Sequence, residues 1–321
     1  DVLHNIIIMN DNDIPPLENL KECVLQTSEP VAKRTHAAFY LRTINSKEAV
    51  EAICQAVSNK EDSALLRHEL AYILGQMQNT AACPHLSAIL CDEHDDVMVR
   101  HEAAESLGAI GDPSSTDVLK QFADHTAPEI RETCQLALDL IEWKQSQEAQ
   151  GAAGAQSDLD LNPYQSVDPS PAESKDLSIE DLKERLMDES RALFSRYRAM
   201  FSLRNRGGEE AVLALAAGLK GNSALFRHEV AYVLGQVQHP AAAPALVEVL
   251  RDENENRMVR HEAAEALGAI GGADTEQVLK EFFDDKEEVV KESCEVALDT
   301  INYWKPEGAS WKGLKEEGIV A

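Results

Sequence analysis

Residues 63–78 read SALLRHELAYILGQMQ, and residues 223–238 read SALFRHEVAYVLGQVQ. In the first stretch Leu66, Leu70, Ile73, Leu74 and Met77 recur at the 3.6-residue period of a helix that buries one face. The two stretches lie 160 residues apart, and the likeness continues outward from them. Met98–Gly111 (MVRHEAAESLGAIG) returns as Met258–Gly271 (MVRHEAAEALGAIG), and Glu132–Asp139 (ETCQLALD) as Glu292–Asp299 (ESCEVALD). The chain is a duplication. Each half also carries a shorter period: His68 to His101 is 33 residues, and so is His228 to His261. A repeat of that length is one antiparallel helix pair of a solenoid, whose apolar face is covered only by the next pair.

The fold is therefore read as all-α, an α-α solenoid of two halves with four helix pairs each. The pairs are expected over 16–45, 47–78, 80–111 and 113–143, then 178–207, 209–238, 240–271 and 273–303. No segment alternates with period 2, so no sheet is expected. Gly75, Gly108, Gly235 and Gly268 each follow a histidine by seven residues, where glycine weakens a helix unless close packing requires it. Gly111 and Gly271 suit helix ends. Gln145–Ser174 is rich in Gln, Ala, Gly, Ser, Asp and Pro and reads as a flexible linker. The expected organisation is an N-terminal half over 1–144, a linker over 145–177, a C-terminal half over 178–305 and a tail over 306–321. Residues 1–14 and those after Lys305 are expected to be poorly ordered.

A formal net charge of −27 argues against a nucleic-acid partner, which needs a basic surface, and favours encounter with a cationic one. No apolar stretch approaches the ~20 residues of a membrane span, and the first residues lack the pattern of a secretory signal. The six cysteines are scattered, with no CxxC, as in a protein with reduced thiols; a cytoplasmic protein is expected.

Four His-Glu dyads stand at one phase of the repeats: His68-Glu69, His101-Glu102, His228-Glu229 and His261-Glu262. One such pair on one helix is ordinarily a surface pair. Four at matched phase, in helices otherwise rich in Ala and Leu, are not. Repeat drift can preserve a packing histidine but gives no reason for an acid beside each. Stacked repeats bring equivalent positions together on one face. Two histidines and a carboxylate with open positions form the facial set of non-haem iron oxygenases, and each half can supply one set. Two facing sets suggest two metals that activate a shared ligand such as dioxygen or hydroxide. Without cysteines near the dyads, a structural zinc cage is disfavoured. The choice of carboxylate stays open. On a helix i and i+4 share a face, which pairs His101 with Glu105 and His261 with Glu265. Tyr72 and Tyr232 hold that position after the other two histidines and are expected in the core.

With these residues in hand, the chain resembles the deoxyhypusine hydroxylase family of HEAT-repeat proteins, from about Ala32 to Ile301. The likeness lies in the stretches quoted above, in PYQSVDP (Pro163–Pro169) and in DESRALFSRYRAMFSLRN (Asp188–Asn205). The resemblance implies an iron-dependent monooxygenase that hydroxylates deoxyhypusine, a modified lysine of a eukaryotic translation initiation factor, and completes hypusine. It implies two Fe2+ ions and dioxygen as co-substrate. One iron would be held by His68, His101 and Glu102, the other by His228, His261 and Glu262. Glu69 and Glu229 would hold the substrate amines. The protein substrate would present a basic loop, and one chain supplying both sets is expected to act as a monomer. Three other readings compete. A HEAT scaffold would tolerate loss of the dyads, a bilin lyase would bind a tetrapyrrole, and a di-metal hydrolase would work with zinc or manganese and without dioxygen.

Overall fold

The computed structural model describes residues 14–150 and 161–303. These contain sixteen α-helices and no strand. In the N-terminal half the pairs are α1 (Leu17–Leu25) with α2 (Val31–Ile44), α3 (Lys47–Val57) with α4 (Ala64–Met77), α5 (Cys83–Cys91) with α6 (Val97–Ile110), and α7 (Thr116–Phe122) with α8 (Pro128–Gln150). In the C-terminal half they are α9 (Ile179–Met187) with α10 (Leu193–Arg206), α11 (Gly208–Ala217) with α12 (Ala224–Val237), α13 (Ala243–Arg251) with α14 (Arg257–Ile270), and α15 (Ala273–Glu281) with α16 (Glu288–Tyr303). The second helices of the pairs stack side by side in each half, α4 on α6 on α8 and α12 on α14 on α16.

Local chemistry starts and spaces these inner helices. Ser63, Asp96, Ser223 and Asn256 cap α4, α6, α12 and α14, each side chain accepting from a first-turn amide. The dyad arginines serve the frame. Arg67 donates its Nε to the Val57 carbonyl and grips Asp95 with both terminal nitrogens at 2.7 and 2.6 Å; Arg260 does the same with Leu250 and Asp285 at 3.2 and 2.6 Å. The four glycines are packing sites: a Cβ on Gly108 would lie 2.8 Å from the Ala137 Cα, and one on Gly268 2.7 Å from the Ala297 Cα. The inner helices therefore approach almost backbone to backbone, which places successive dyads side by side.

The halves face each other about a pseudo-two-fold axis. Ser63 donates to Glu292 at 2.6 Å, and its counterpart Ser223 donates to Glu132, the counterpart of Glu292. Arg257, whose counterpart is Val97, adds a one-sided pair with Asp96 at 2.6 Å, while the Tyr72 and Tyr232 hydroxyls meet mutually at 2.7 Å on the axis. This reciprocity is that of a two-fold dimer interface written into one chain.

The expectation of a flexible linker needs correction over 145–150, where α8 runs on to Gln150, and over 161–177. Ser170, Ala172 and Glu173 are buried, Val167 exchanges two hydrogen bonds with Gln76, and Asp168 is gripped by Arg204. The 161–177 segment has no periodicity because it is a docked strap, held by side chains rather than by a repeating backbone pattern. The expectations for residues 1–13, 151–160 and 304–321 lie outside the described residues.

Candidate metal centre

The dyads converge where the halves meet. His68 and Glu69 come from α4, His101 and Glu102 from α6, His228 and Glu229 from α12, and His261 and Glu262 from α14; all eight are buried. The four imidazoles form one knot. Ring centroids are 5.5 Å apart for His68 and His101, 5.3 Å for His228 and His261, and across the halves 5.1 Å for His68 and His261 and 5.4 Å for His101 and His228.

The carboxylate question left open by helix geometry resolves across helices. Glu102 reaches the Nε2 of His68, at 3.2 Å, rather than its neighbour His101, and Glu262 lies between the Nε2 of His228, at 3.3 Å, and that of its own neighbour His261, at 3.8 Å. Glu69 stays with His68, at 3.2 Å from Nδ1. Glu265 lies 3.8 Å from the Nδ1 of His261, as i,i+4 geometry suggests. His68, His101 and Glu102 come together within one ion's reach. The C-terminal set is brought together in overlapping parts instead: His228 with His261 and His68, and His261 with Glu262 and Glu265. Tyr72 and Tyr232 pack against the hydrophobic cores of their halves, as expected, and also line the cleft beside these groups. Their recurrence one helical turn beyond His68 and His228, on the same face, was the signal for this.

The electrostatics call for cations. Six glutamates line the cleft, Glu69, Glu102, Glu105, Glu229, Glu262 and Glu265, and among the described residues no lysine or arginine does. Burial and neighbouring carboxylates push the acids of Glu105 and Glu229 well above the usual range, and burial with Glu69 and Glu262 does so for Glu265. Burial and the other imidazoles hold His101 and His261 well below the ordinary histidine value, so both are neutral, the form that ligates a metal. For His68 burial opposes protonation, but the Glu102 and Glu69 carboxylates outweigh it and raise the value. Both ring nitrogens of His101, the Nδ1 of His228, the Nε2 of His261 and an oxygen of Glu229 are buried without a hydrogen-bond partner, and the Nε2 atoms of His68 and His228 face their carboxylates without the alignment of a hydrogen bond. A folded protein seldom leaves so many polar atoms unsatisfied in one place. The donor set, neutral nitrogen with anionic oxygen, fits divalent first-row metals.

The HEAT repeat pattern matches residues 17–98, 60–139, 179–257 and 212–299. The chain is 52% identical over 288 residues to deoxyhypusine hydroxylase of Homo sapiens, covering 89% of this chain and 91% of that one. It is 49% identical over 294 residues to deoxyhypusine hydroxylase of Danio rerio, covering 92% and 93%. The structure of human deoxyhypusine hydroxylase in complex with glycerol superposes with a TM-score of 0.83 at 50% identity, covering 89% of this chain and 96% of that one.

Proposed function

The chain belongs to the deoxyhypusine hydroxylase family, and on that premise we propose that it hydroxylates the deoxyhypusine side chain of a translation factor. We place two ferrous ions between the halves, one on His68, His101 and Glu102 and one on His228, His261 and Glu262, with dioxygen as co-substrate. The knot of four buried imidazoles with unsatisfied nitrogens carries this reading. Bound iron supplies the electrons and open positions that activation of dioxygen needs.

The protein's own contribution is charge and position. Neutral His101 and His261 offer lone pairs. Glu102 and Glu262 bring negative charge to the same two places, each shared with a histidine of the next helix. The unpartnered Glu229 oxygen is a buried acceptor that an ammonium group of the substrate would satisfy, and Glu69 stands at the equivalent position of the other half. Two anchored amines hold the carbon chain between them at a fixed place in the cleft, and fixing that place selects the C–H bond that reacts. One chain completes the centre, so we propose a monomer. Its six free cysteines accord with a cytoplasmic site of action.

Elemental analysis after anaerobic reconstitution with ferrous iron tests the centre. About two irons per chain are expected, falling sharply in His101→Ala, which removes a ligand of one set. Failure of the reconstituted chain to retain iron would overturn the di-iron reading. Full turnover of a deoxyhypusine peptide with zinc, in the absence of oxygen, would overturn the oxygenase.

A further inference from the structure

The strap quoted above as PYQSVDP lies across the pseudo-two-fold axis, and its bonds lead into the metal cleft. On one side Gln76 of α4 donates to the Val167 carbonyl at 3.0 Å and accepts from the Val167 amide at 2.9 Å. On the other, Asp168 takes both terminal nitrogens of Arg204, at 2.8 and 2.6 Å, while the Tyr164 ring stacks 4.8 Å from the guanidinium carbon. Arg204 is fully buried and also donates to the Oε1 of Gln236, at 2.9 Å. Gln236, the counterpart of Gln76, donates its Nε2 to the Tyr232 hydroxyl at 3.0 Å, and Tyr232 meets Tyr72 at 2.7 Å.

The order of atoms is dictated by chemistry. A guanidinium only donates, so the oxygen of the Gln236 amide must face Arg204. Its NH2 then faces Tyr232, whose oxygen accepts. Of the two tyrosine hydroxyl protons, one lies in the bond between the rings and the other is directed elsewhere than at the partner tyrosine. Both rings line the cleft with His68, His228 and the six glutamates. Asp168 has no counterpart in the first half, where Ile8 stands 160 residues earlier, so the strap adds an asymmetry to the duplicated frame.

We propose that the strap is part of the centre: through Asp168, Arg204 and Gln236 it fixes Tyr232, and with it Tyr72, as positioning residues of the cleft wall. The proposal rests on the hydroxylase reading for its kinetic arm only.

The test is a double-mutant cycle between Asp168→Ala and Gln236→Met. Gln236→Met keeps the side-chain volume and the Asp168–Arg204 pair but cuts the link to Tyr232. Amide hydrogen exchange on the metal-free chain is read first. Asp168→Ala is expected to speed exchange both at the Val167 amide and along Tyr232–Val237 of α12, whereas Gln236→Met speeds only the second. In the iron-loaded enzyme either change is expected to lower kcat about tenfold with little change in KM, the scale of a small misplacement in a reacting site. The double variant is expected to be no worse than the worse single one, with iron content unchanged throughout. Tyr72→Phe is expected to match Gln236→Met. Fully additive losses, or exchange in α12 indifferent to Asp168, would show the strap to be mere packing. If wild-type enzyme fails to turn over a deoxyhypusine peptide, the function reading fails, while the exchange result still judges the strap.

Discussion

At the residue scale, the two acids assigned to the substrate are not equal partners. Glu69 already holds the Nδ1 of His68 at 3.2 Å, whereas one oxygen of Glu229 is buried without a partner. Glu229 therefore has more to gain from an ammonium group. A charge-assisted hydrogen bond contributes roughly 1.5–3 kcal/mol, so Glu229→Gln is expected to raise KM for the protein substrate about 10- to 100-fold. Glu69→Gln is expected to raise it less and also to loosen His68. Iron content should stay near that of wild type in Glu229→Gln. Loss of iron with an unmoved KM would make Glu229 a ligand rather than an anchor. The histidines of this site were legible because the His-Glu dyad occurs four times at the same phase. Which acid serves which histidine was not. Glu102 bends across to His68 on the neighbouring helix, and the stacking distance that permits this is set by Gly75 against Ser106, not by residues beside the glutamate.

At the scale of the elements, the repeat period located the eight helix pairs, since a 33-residue unit with one capped inner helix leaves little freedom in where a turn can fall, but it ended α8 at 143 where the helix runs on to Gln150. The strap escaped because residues such as Asn162, Ser166 and Asp168 act through particular hydrogen bonds, to one another and to Arg204, and have no period. The helical glycines make a graded prediction. A Cβ on Gly108 would lie 2.8 Å from the Ala137 Cα, a backbone atom that cannot swing aside, while one on Gly235 would lie 3.1 Å from the Ala266 Cα. Alanine removes the entropic cost of glycine in a helix, worth about 0.8–1 kcal/mol, but overpacking costs about 1–3 kcal/mol. Gly108→Ala is thus expected to lower stability in chemical denaturation, and Gly235→Ala to lower it less or to leave it unchanged. Gly108→Ala should also lose iron, because it drives α6, and with it His101 and Glu102, away from its neighbour. Equal stability of the two variants would show that the inner helices separate freely and that the glycines do not set their spacing.

At the scale of the whole molecule, duplication and charge act together. The duplication builds a two-fold interface whose reciprocal bonds, Ser63 to Glu292 and Ser223 to Glu132, hold the two dyad sets opposite each other. Such an interface lets one chain bring together two dyad sets that two copies of a half would otherwise have to supply. The charge of −27 is far more than the six cleft glutamates require, and most of it lies outside the cleft, where it cannot serve a buried ion. Its physical effect at that range is on encounter. A field of one sign raises the approach rate of an oppositely charged partner and is screened beyond about 10 Å at 0.1 M salt. A basic protein loop should therefore meet this surface faster in dilute salt. The expected outcome is that kcat/KM for the intact protein substrate falls steeply as salt is raised from low to physiological ionic strength, while kcat itself stays level. A short, uncharged peptide carrying the same modified lysine should show a much shallower dependence. If both substrates respond alike, salt is acting on the buried carboxylates and amines rather than on long-range approach. The surface charge would then have no part in bringing the substrate to the site.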